Sequence, residues 1–413
     1  MSLDPKRAVA ELKELRALTG DENGAQRVAW TDTWLKAREW FAAKVKSLPV
    51  EHHYDAAGNN WVTLPGASER SLLIGGHLDS VPNGGWLDGA LNVIAGLEIL
   101  RRIAAAEYGG RPPVTIRLVD WADEEGARFG RSLLGSSAFA GTHSIEADRI
   151  RTDGGGMKME DALRRCGVEI AKFPDAAKEQ KNAAAYIELH IEQGPVLERI
   201  GLPLAVVLGT KGVERHNIIF HGQEAHSGST PMNARRDALA AAAKLALEIR
   251  TIAKKHEDAV CTMGSVKTFP GIVTAVVGRC EVTLDQRDLN AAVLAQMYRE
   301  AQEASQRFAA EENCTVEWSL LWNIEPVPFH PQLLDLCEQA VRETSATSHR
   351  MPSGPLHDAA EVSRAGIPTV MMFVQSLKGI SHNKIEDTKE EHLEMSVVAF
   401  DRLASKAMDW IQK

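Results

Sequence analysis

The sequence predicts an α/β protein, a discontinuous domain of mixed sheet and flanking helices interrupted by a smaller α+β insertion. Three observations predict it. Short apolar runs that read as strands alternate with helical periodicities in both halves of the chain, the pattern of an α/β sheet. Between about Gly212 and Trp322 this pattern gives way to a self-contained run of strand, helix, three strands and helix. The 413 residues also exceed the roughly 250 to 300 at which single cores stop growing. The expected division is 1–211 with 323–413 for the larger domain and 212–322 for the insertion.

The elements follow in order. The opening MSLDPKRAVAELKELR reads as a charged amphipathic helix with no apolar signal core. Leu72-Leu73-Ile74 is a strand running into Gly75-Gly76, and 88–107 is a helix, with Leu91, Ile94, Ala95, Leu97 and Leu100 near helical spacing. A strand over 114–121 runs into Asp123-Glu124-Glu125-Gly126, so carboxylates sit where a strand ends. The insertion reads as strand 217–220, helix 235–255, strands near 259–266, 272–277 and 281–284, and helix 291–310. After it come helix 332–344, a Ser353-Gly354-Pro355 loop, strand 369–374 and a last helix over 391–411. Gly154-Gly155-Gly156 reads as a loop, and no internal repeat is visible.

Composition excludes several classes of function. The 47 basic and 56 acidic side chains leave a net charge of −9 with no lysine- or arginine-rich block, so neither nucleic acid nor an anionic membrane is an expected partner. No stretch approaches the roughly 18 to 20 apolar residues of a membrane span, and a cytoplasmic location is expected. Five widely spaced cysteines suggest neither a disulfide framework nor a CxxC zinc site. Any metal must be held by histidine and carboxylate.

Such residues recur at strand ends. His77-Leu78-Asp79 follows the first strand, and Asp88 stands eleven residues after His77 at a helix start, where an anionic side chain is favoured. Glu124-Glu125 ends the second strand, His190 lies in Glu188-Leu189-His190-Ile191-Glu192-Gln193-Gly194, and His382 in Gly379-Ile380-Ser381-His382-Asn383. Three histidines with several carboxylates suit zinc, manganese or cobalt. Two such ions sharing a carboxylate make a hydrolytic centre, and a free carboxylate nearby must move the proton. Adjacent residues of an extended segment point oppositely, so one of Glu124 and Glu125 can bind metal while the other serves as base. Singly, each histidine reads as a hydrogen-bonded structural residue and Glu124-Glu125 as a solvated pair; their combination carries the argument. No G-x-S-x-G elbow, P-loop or G-x-G-x-x-G follows a strand, which disfavours serine hydrolysis and nucleotide chemistry.

Through Gly76-His77-Leu78-Asp79-Ser80-Val81-Pro82-Asn83-Gly84-Gly85, Asp88-Gly89, Glu124-Glu125-Gly126-Ala127-Arg128-Phe129, the His190 run to Pro195, Thr230-Pro231-Met232 and Ser381-His382, the chain resembles a known family over nearly its whole length. These are the M20 metallopeptidase-like amidohydrolases, in their hydantoinase/carbamoylase branch. That branch includes N-carbamoyl-L-amino acid hydrolases, allantoate and ureidoglycolate amidohydrolases and β-ureidopropionases. The resemblance implies hydrolysis of a linear amide or ureido C–N bond in a small carboxylate-bearing substrate. It implies two divalent ions (zinc, manganese, cobalt or nickel), one on His77, Asp88 and His190 and one on Asp88, Glu125 and His382, with Asp88 bridging. Glu124 would be the general base, and Asp79 would orient His77 through a hydrogen bond. The insertion would be a dimerisation and lid domain of a homodimer, with His226 polarising the scissile carbonyl in the partner subunit's site. Arg287 would clamp the substrate carboxylate as a bidentate fork, and Gln193 would contact the amide or carbamoyl group.

Departures from that pattern bear on substrate. Thr274-Ala275-Val276-Val277 stands where carbamoylases read Asn-Val-Ile-Pro, so Thr274 replaces a substrate-binding asparagine. Trp86 and Leu87 precede Asp88, Asn92 replaces a glycine, Pro355-Leu356 precede His357-Asp358, and Gln375 stands near the usual Pro or Arg. They keep open an aminoacylase- or aminohydrolase-like enzyme acting on an N-acyl amino acid or aromatic amine. From another class, an inactive binding or scaffold homologue also stays open. Plainer readings make Arg287 an ion pair with Asp285 on the same strand face and His226 a loop cap.

Overall fold

The computed structural model describes residues 2–107 and 111–413. The chain divides into two compact units, Met1–Leu208 with Phe329–Lys413, and Gly209–Pro328. Among the described residues no helix is long and apolar enough to cross a membrane, and the five cysteines are all free.

The larger unit is built on a mixed sheet. Strand Ser68–His77 runs parallel to Val114–Trp121 on one side and to Ala183–Ile191 on the other, and Ala183–Ile191 is parallel to Thr369–Val374. Antiparallel strands flank this middle, Asn60–Leu64 beside Val114–Trp121 and Leu204–Thr210 beside Thr369–Val374. Every residue of Thr369–Val374 is buried, which is why its sequence reads as an apolar run without alternation: helices cover both faces. Helices Pro331–Ser345, Asp358–Arg364 and Glu390–Gln412 supply that cover. The amino-terminal helix Pro5–Thr19 is started by the Asp4 side chain, which accepts the Arg7 N–H, and by a proline in the first turn. The helix expected from residue 88 begins at Ala90, because Gly89 adopts φ 64° immediately before it.

The smaller unit carries a four-stranded antiparallel sheet in the order Val260–Phe269, Arg279–Asp288, Gly212–His221, Thr315–Ile324. Helices Ala238–Ala253 and Ala291–Glu311 pack on it through a core that includes Phe220, Leu245, Val282 and Met297. Two expectations fail here. The strand expected over 272–277 shrinks to Ala275–Val276, paired with Ala225–His226 in a separate ribbon, because Ile272 and Val273 are exposed with nothing to bury against. Strand Thr315–Ile324 escapes sequence reading because it is an edge strand whose later residues Leu320, Leu321 and Trp322 are all exposed, which erases the alternation.

Within the larger unit, one buried ion pair connects helix Asp32–Val45 to the strand end at His77. Arg38 Nε lies 2.8 Å from Asp120 Oδ2, with both side chains almost wholly buried, and Asp120 Oδ1 accepts the Leu78 N–H at 2.8 Å. Arg38 also donates to the Gly58 carbonyl and stacks 3.8 Å over the Trp34 ring. Burial pushes the Asp120 carboxyl up, and Arg38 opposes that shift. Arg38→Met would leave Asp120 charged, buried and unpaired; the expected cost is about 3–5 kcal/mol in chemical denaturation. An unchanged unfolding midpoint would show that the pair contributes nothing.

Candidate metal centre

In a parallel sheet the carboxyl ends of neighbouring strands open on one edge, where ligand sites form. His77 closes strand Ser68–His77, Glu124-Glu125 follow Val114–Trp121, His190 lies near the end of Ala183–Ile191, and His382 lies on the loop beyond Thr369–Val374. Strand order thus gathers residues up to 305 positions apart in the chain.

Asp88 is the centre of the gathering. Its Oδ1 lies 3.1 Å from His190 Nε2 and 3.8 Å from His77 Nε2, while its Oδ2 lies 3.3 Å from His382 Nε2. His382 Nε2 is also 3.3 Å from Glu125 Oε2. Two groups of donor atoms result, His77 with Asp88 and His190, and Asp88 with Glu125 and His382, each lying within 4.8 Å of one another.

The donor set fits divalent cations. Backbone carbonyls hold the far nitrogens of two histidines, His77 Nδ1 on Asp79 O at 3.1 Å and His190 Nδ1 on Ile191 O at 2.8 Å. Each Nδ1 then carries the proton, and each Nε2 turns a lone pair toward carboxylate oxygens. Facing lone pairs repel unless a cation lies between them. His77 Nε2, Asp88 Oδ1 and Glu125 Oε1 are accordingly buried without a hydrogen-bond partner. The electrostatics agree. Burial pushes the Glu124 carboxyl well above the ordinary range, and burial with the Asp88 charge lifts Glu125 to about 7. Against burial, the neighbouring imidazoles of His190 and His382 hold Asp88 well below its usual range. His382 is lifted to about 9, first by Asp88, and His77 is raised despite burial by Glu124 and Asp79. Negative charge is concentrated here beyond what the histidines offset, so the cluster attracts cations.

Glu124 and Glu125 do face different histidines, but not as neighbours on an extended strand. The strand ends at Trp121 and Asp123 turns with φ 59°; beyond the turn, Glu124 Oε2 lies 3.8 Å from His77 Nε2 and Glu125 approaches His382. Asp79 also departs from expectation. It holds His77 through its backbone carbonyl, while its carboxylate stands 3.6 Å from His77 Nδ1 and instead accepts the Glu124 and Glu125 amides at 3.3 and 3.2 Å. Two backbone donors outcompete the imidazole for that carboxylate.

Gln193, at φ 57°, donates from Nε2 to Asp88 Oδ2 at 2.8 Å and leaves its Oε1 unpartnered. His357 packs against His190 with ring centroids 4.4 Å apart and shares a hydrogen bond with Ser353 Oγ at 2.8 Å. Glu188, His190 and His357 form a third close group, but Glu188 already accepts the Tyr186 hydroxyl and the Ala359 amide, so this group is internally satisfied. Leu356 is half-buried beside His357. Trp86 turns toward Arg16 and lines a cleft of about 390 Å³ whose walls include no member of the two donor groups. Asn92 accepts the Leu189 N–H at 2.8 Å, and Gln375 donates to the Leu202 carbonyl. Sequence reading missed Glu386, a buried acid four residues after His382, which accepts the Leu87 and Asp88 amides.

In the smaller unit, His226 is exposed and its Nδ1 accepts the Gly228 N–H at 3.1 Å, as a loop cap does. Thr274 O accepts the Ser227 N–H at 2.9 Å on the same ribbon. Arg287 Nε donates to Asp285 Oδ1 at 2.8 Å, the ion pair of the plainer reading, and Arg215 pairs with the other oxygen of Asp285.

A steric test of the centre lies at Gly89. A Cβ there would fall 2.4 Å from three atoms of the His77 ring, on a backbone at φ 64° that resists side chains. Gly89→Ala is expected to displace His77 and weaken metal retention at least tenfold, an effect on the order of 1.4 kcal/mol. Metal content after dialysis measures it, and wild-type retention would contradict the geometry.

Comparison with known proteins places this arrangement in context. Over 371 residues the chain is 34% identical to an N-carbamoyl-L-amino acid amidohydrolase of Geobacillus stearothermophilus, covering 89% of this chain and 90% of that protein. It is 31% identical over 368 residues to an allantoate amidohydrolase of Escherichia coli K12, covering 88% of each. The crystal structure of an amidase of the hydantoinase/carbamoylase family from Burkholderia multivorans superposes with a TM-score of 0.88 at 31% identity, over 98% of both chains. The model of peptidase family M20/M25/M40 matches residues 73–406, a span that contains both donor groups and Glu124, and the chain belongs to that family.

Proposed function

We propose that the protein is a metal-dependent amidohydrolase that cleaves the C–N bond of a linear amide or ureido group in a small carboxylate-bearing substrate. An N-carbamoyl-L-amino acid or an allantoate-like compound is the substrate class. The observation that carries this reading is Asp88, whose two oxygens face two separate donor groups with an uncommitted carboxylate, Glu124, alongside. The kinship with an N-carbamoyl-L-amino acid amidohydrolase and an allantoate amidohydrolase supports the substrate class.

In this reading His77, Asp88 and His190 hold one divalent ion, and Asp88, Glu125 and His382 hold a second. Zinc, manganese, cobalt and nickel all suit the ligands. Such ions, when bound, acidify a water molecule and polarise a carbonyl. Glu124 takes the proton of the attacking water and returns it to the departing nitrogen. Burial raises its carboxyl above the ordinary range. Asp79 fixes the base by holding the Glu124 and Glu125 amides. Gln193 presents an unpartnered Oε1 that can accept from a substrate amide or carbamoyl N–H. His226, Thr274 and Arg287 are the substrate-binding residues of the smaller unit, with Arg287 leaving Asp285 for the substrate carboxylate. A ureido substrate consumes one water and yields an amine, ammonia and carbon dioxide. We further propose a homodimer acting in the cytoplasm, a compartment that suits five free cysteines.

Ammonia release from N-carbamoyl amino acids, allantoate and ureidoglycolate, with release of free amino acid measured for N-acyl amino acids, tests the substrate class. Metal-stripped enzyme should be inactive and regain activity with manganese or zinc; full activity after thorough metal removal would defeat the reading. Turnover of acyl compounds alone would favour the aminoacylase alternative. Glu124→Gln should retain metal while losing about 10²–10⁴-fold in kcat. A near-normal rate in that variant would remove Glu124 from the base position.

A further inference from the structure

The geometry points to Glu386 as the positioning residue that keeps the second donor group, Asp88, Glu125 and His382, assembled; this inference rests on the two-ion reading above. His382 sits on a loop, at φ 53° with half its side chain exposed, and no sheet ladder holds it. His77 and His190, by contrast, lie on central strands and are fixed by backbone carbonyls. The His382 loop reaches the bridging carboxylate largely through side chains, and Glu386 lies at the junction.

Glu386 is 2% exposed. Its Oε1 accepts the Leu87 and Asp88 N–H groups, each at 3.1 Å, and its Oε2 accepts the Ser381 hydroxyl at 2.7 Å. One carboxylate thus ties the main chain of the bridging aspartate to the residue preceding His382. The Ser381 hydroxyl also stands 3.1 Å from Asp88 Oδ2, the oxygen that faces His382. The opposite wall has made room for this side chain: a Cβ on Gly85 would fall 1.9 Å from Glu386 Cδ. Beneath lies Arg27, fully buried, its two terminal nitrogens without hydrogen-bond partners and its guanidinium in the field of Glu386 ahead of Asp79, Asp88 and Glu125. A buried acid with three donors, a glycine that admits it and a buried cation below make a support built for one place. It meets Asp88, which both groups share, only at the backbone N–H, and its remaining oxygen reaches the loop of His382 through Ser381.

The consequence is a selective loss of one ion. Wild-type protein, loaded with manganese and passed through a desalting column, should hold two ions per chain by plasma mass spectrometry. Glu386→Ala should hold one, with the second titrating at roughly 10- to 100-fold higher concentration. Glu386→Gln should recover part of that affinity, because a carboxamide oxygen still accepts the two amides. Ser381→Ala, which removes the hydroxyl standing between Glu386 and Asp88 Oδ2, should weaken the same ion and keeps the test open if Glu386→Ala does not fold. Two ions bound with wild-type affinity in both Glu386→Gln and Ser381→Ala would overturn the assignment. So would an equal weakening of both ions, the mark of a merely structural role. Wild-type protein that binds fewer than two ions would fail the two-ion reading itself, a result distinguishable from failure of Glu386 alone.

Discussion

Everything at the strand ends depends on one buried carboxylate with two faces. Asp88 cannot lie in a buried, acid-rich cavity on packing grounds, since an unpaired buried charge is among the costliest groups a protein can carry. Gln193 and Ser381 donate to its Oδ2, and each oxygen faces a set of cation ligands, His77 and His190 on one side and His382 on the other. Its own backbone is pinned by Glu386, and the glycine after it lets His77 come into contact. The fold serves this arrangement. Parallel strands supply His77, Glu124 and His190 at one edge, and helix Ala90–Arg102 begins where Asp88 must point back across that edge.

The support around the centre consists of charges that are each answered by a specific group. Asp120 meets Arg38 and holds the Leu78 amide; Asp79 holds the amides of both glutamates; Asp123 accepts the Trp30 indole N–H at 2.7 Å. Buried polar groups of this kind contribute little net stability when satisfied and cost much when broken. Their return is geometric. The backbones of Asp88, Glu124 and Glu125 are fixed by the side chains of Glu386 and Asp79, so these three acids are held in place before anything binds them.

Much of this was legible in the sequence, and the limits have physical causes. The motif residues His77, Asp88, Glu124, Glu125, His190 and His382 stand out because they sit at strand ends, where apolar runs stop abruptly and acids begin. The strands over 114–121 and 369–374 were legible to the residue, the second because burial on both faces gives an apolar run. Thr315–Ile324 was not, because the exposed Leu320, Leu321 and Trp322 break the alternation that Val316 and Trp318 begin. The role of Asp79 was misjudged in atom though not in place: sequence shows a carboxylate two residues from a histidine, but not that two amides from a distant turn reach it first. Glu386 was invisible for a related reason. An acid in a loop looks solvated until the fold shows Gly85 and two backbone N–H groups waiting for it.

The order of strands has a consequence for how the chain is made. Thr369–Val374 lies between Ala183–Ile191 and Leu204–Thr210, so the sheet contains a slot that is filled only by residues synthesised some 160 positions later. Until then the nascent protein carries two facing strand edges with unpaired backbone groups, the feature that invites pairing with other chains. The first donor group is complete in the chain by residue 190, whereas the second waits for His382. A ribosome-bound chain therefore passes through a long interval in which the edges of that gap stay open until the last segment closes it.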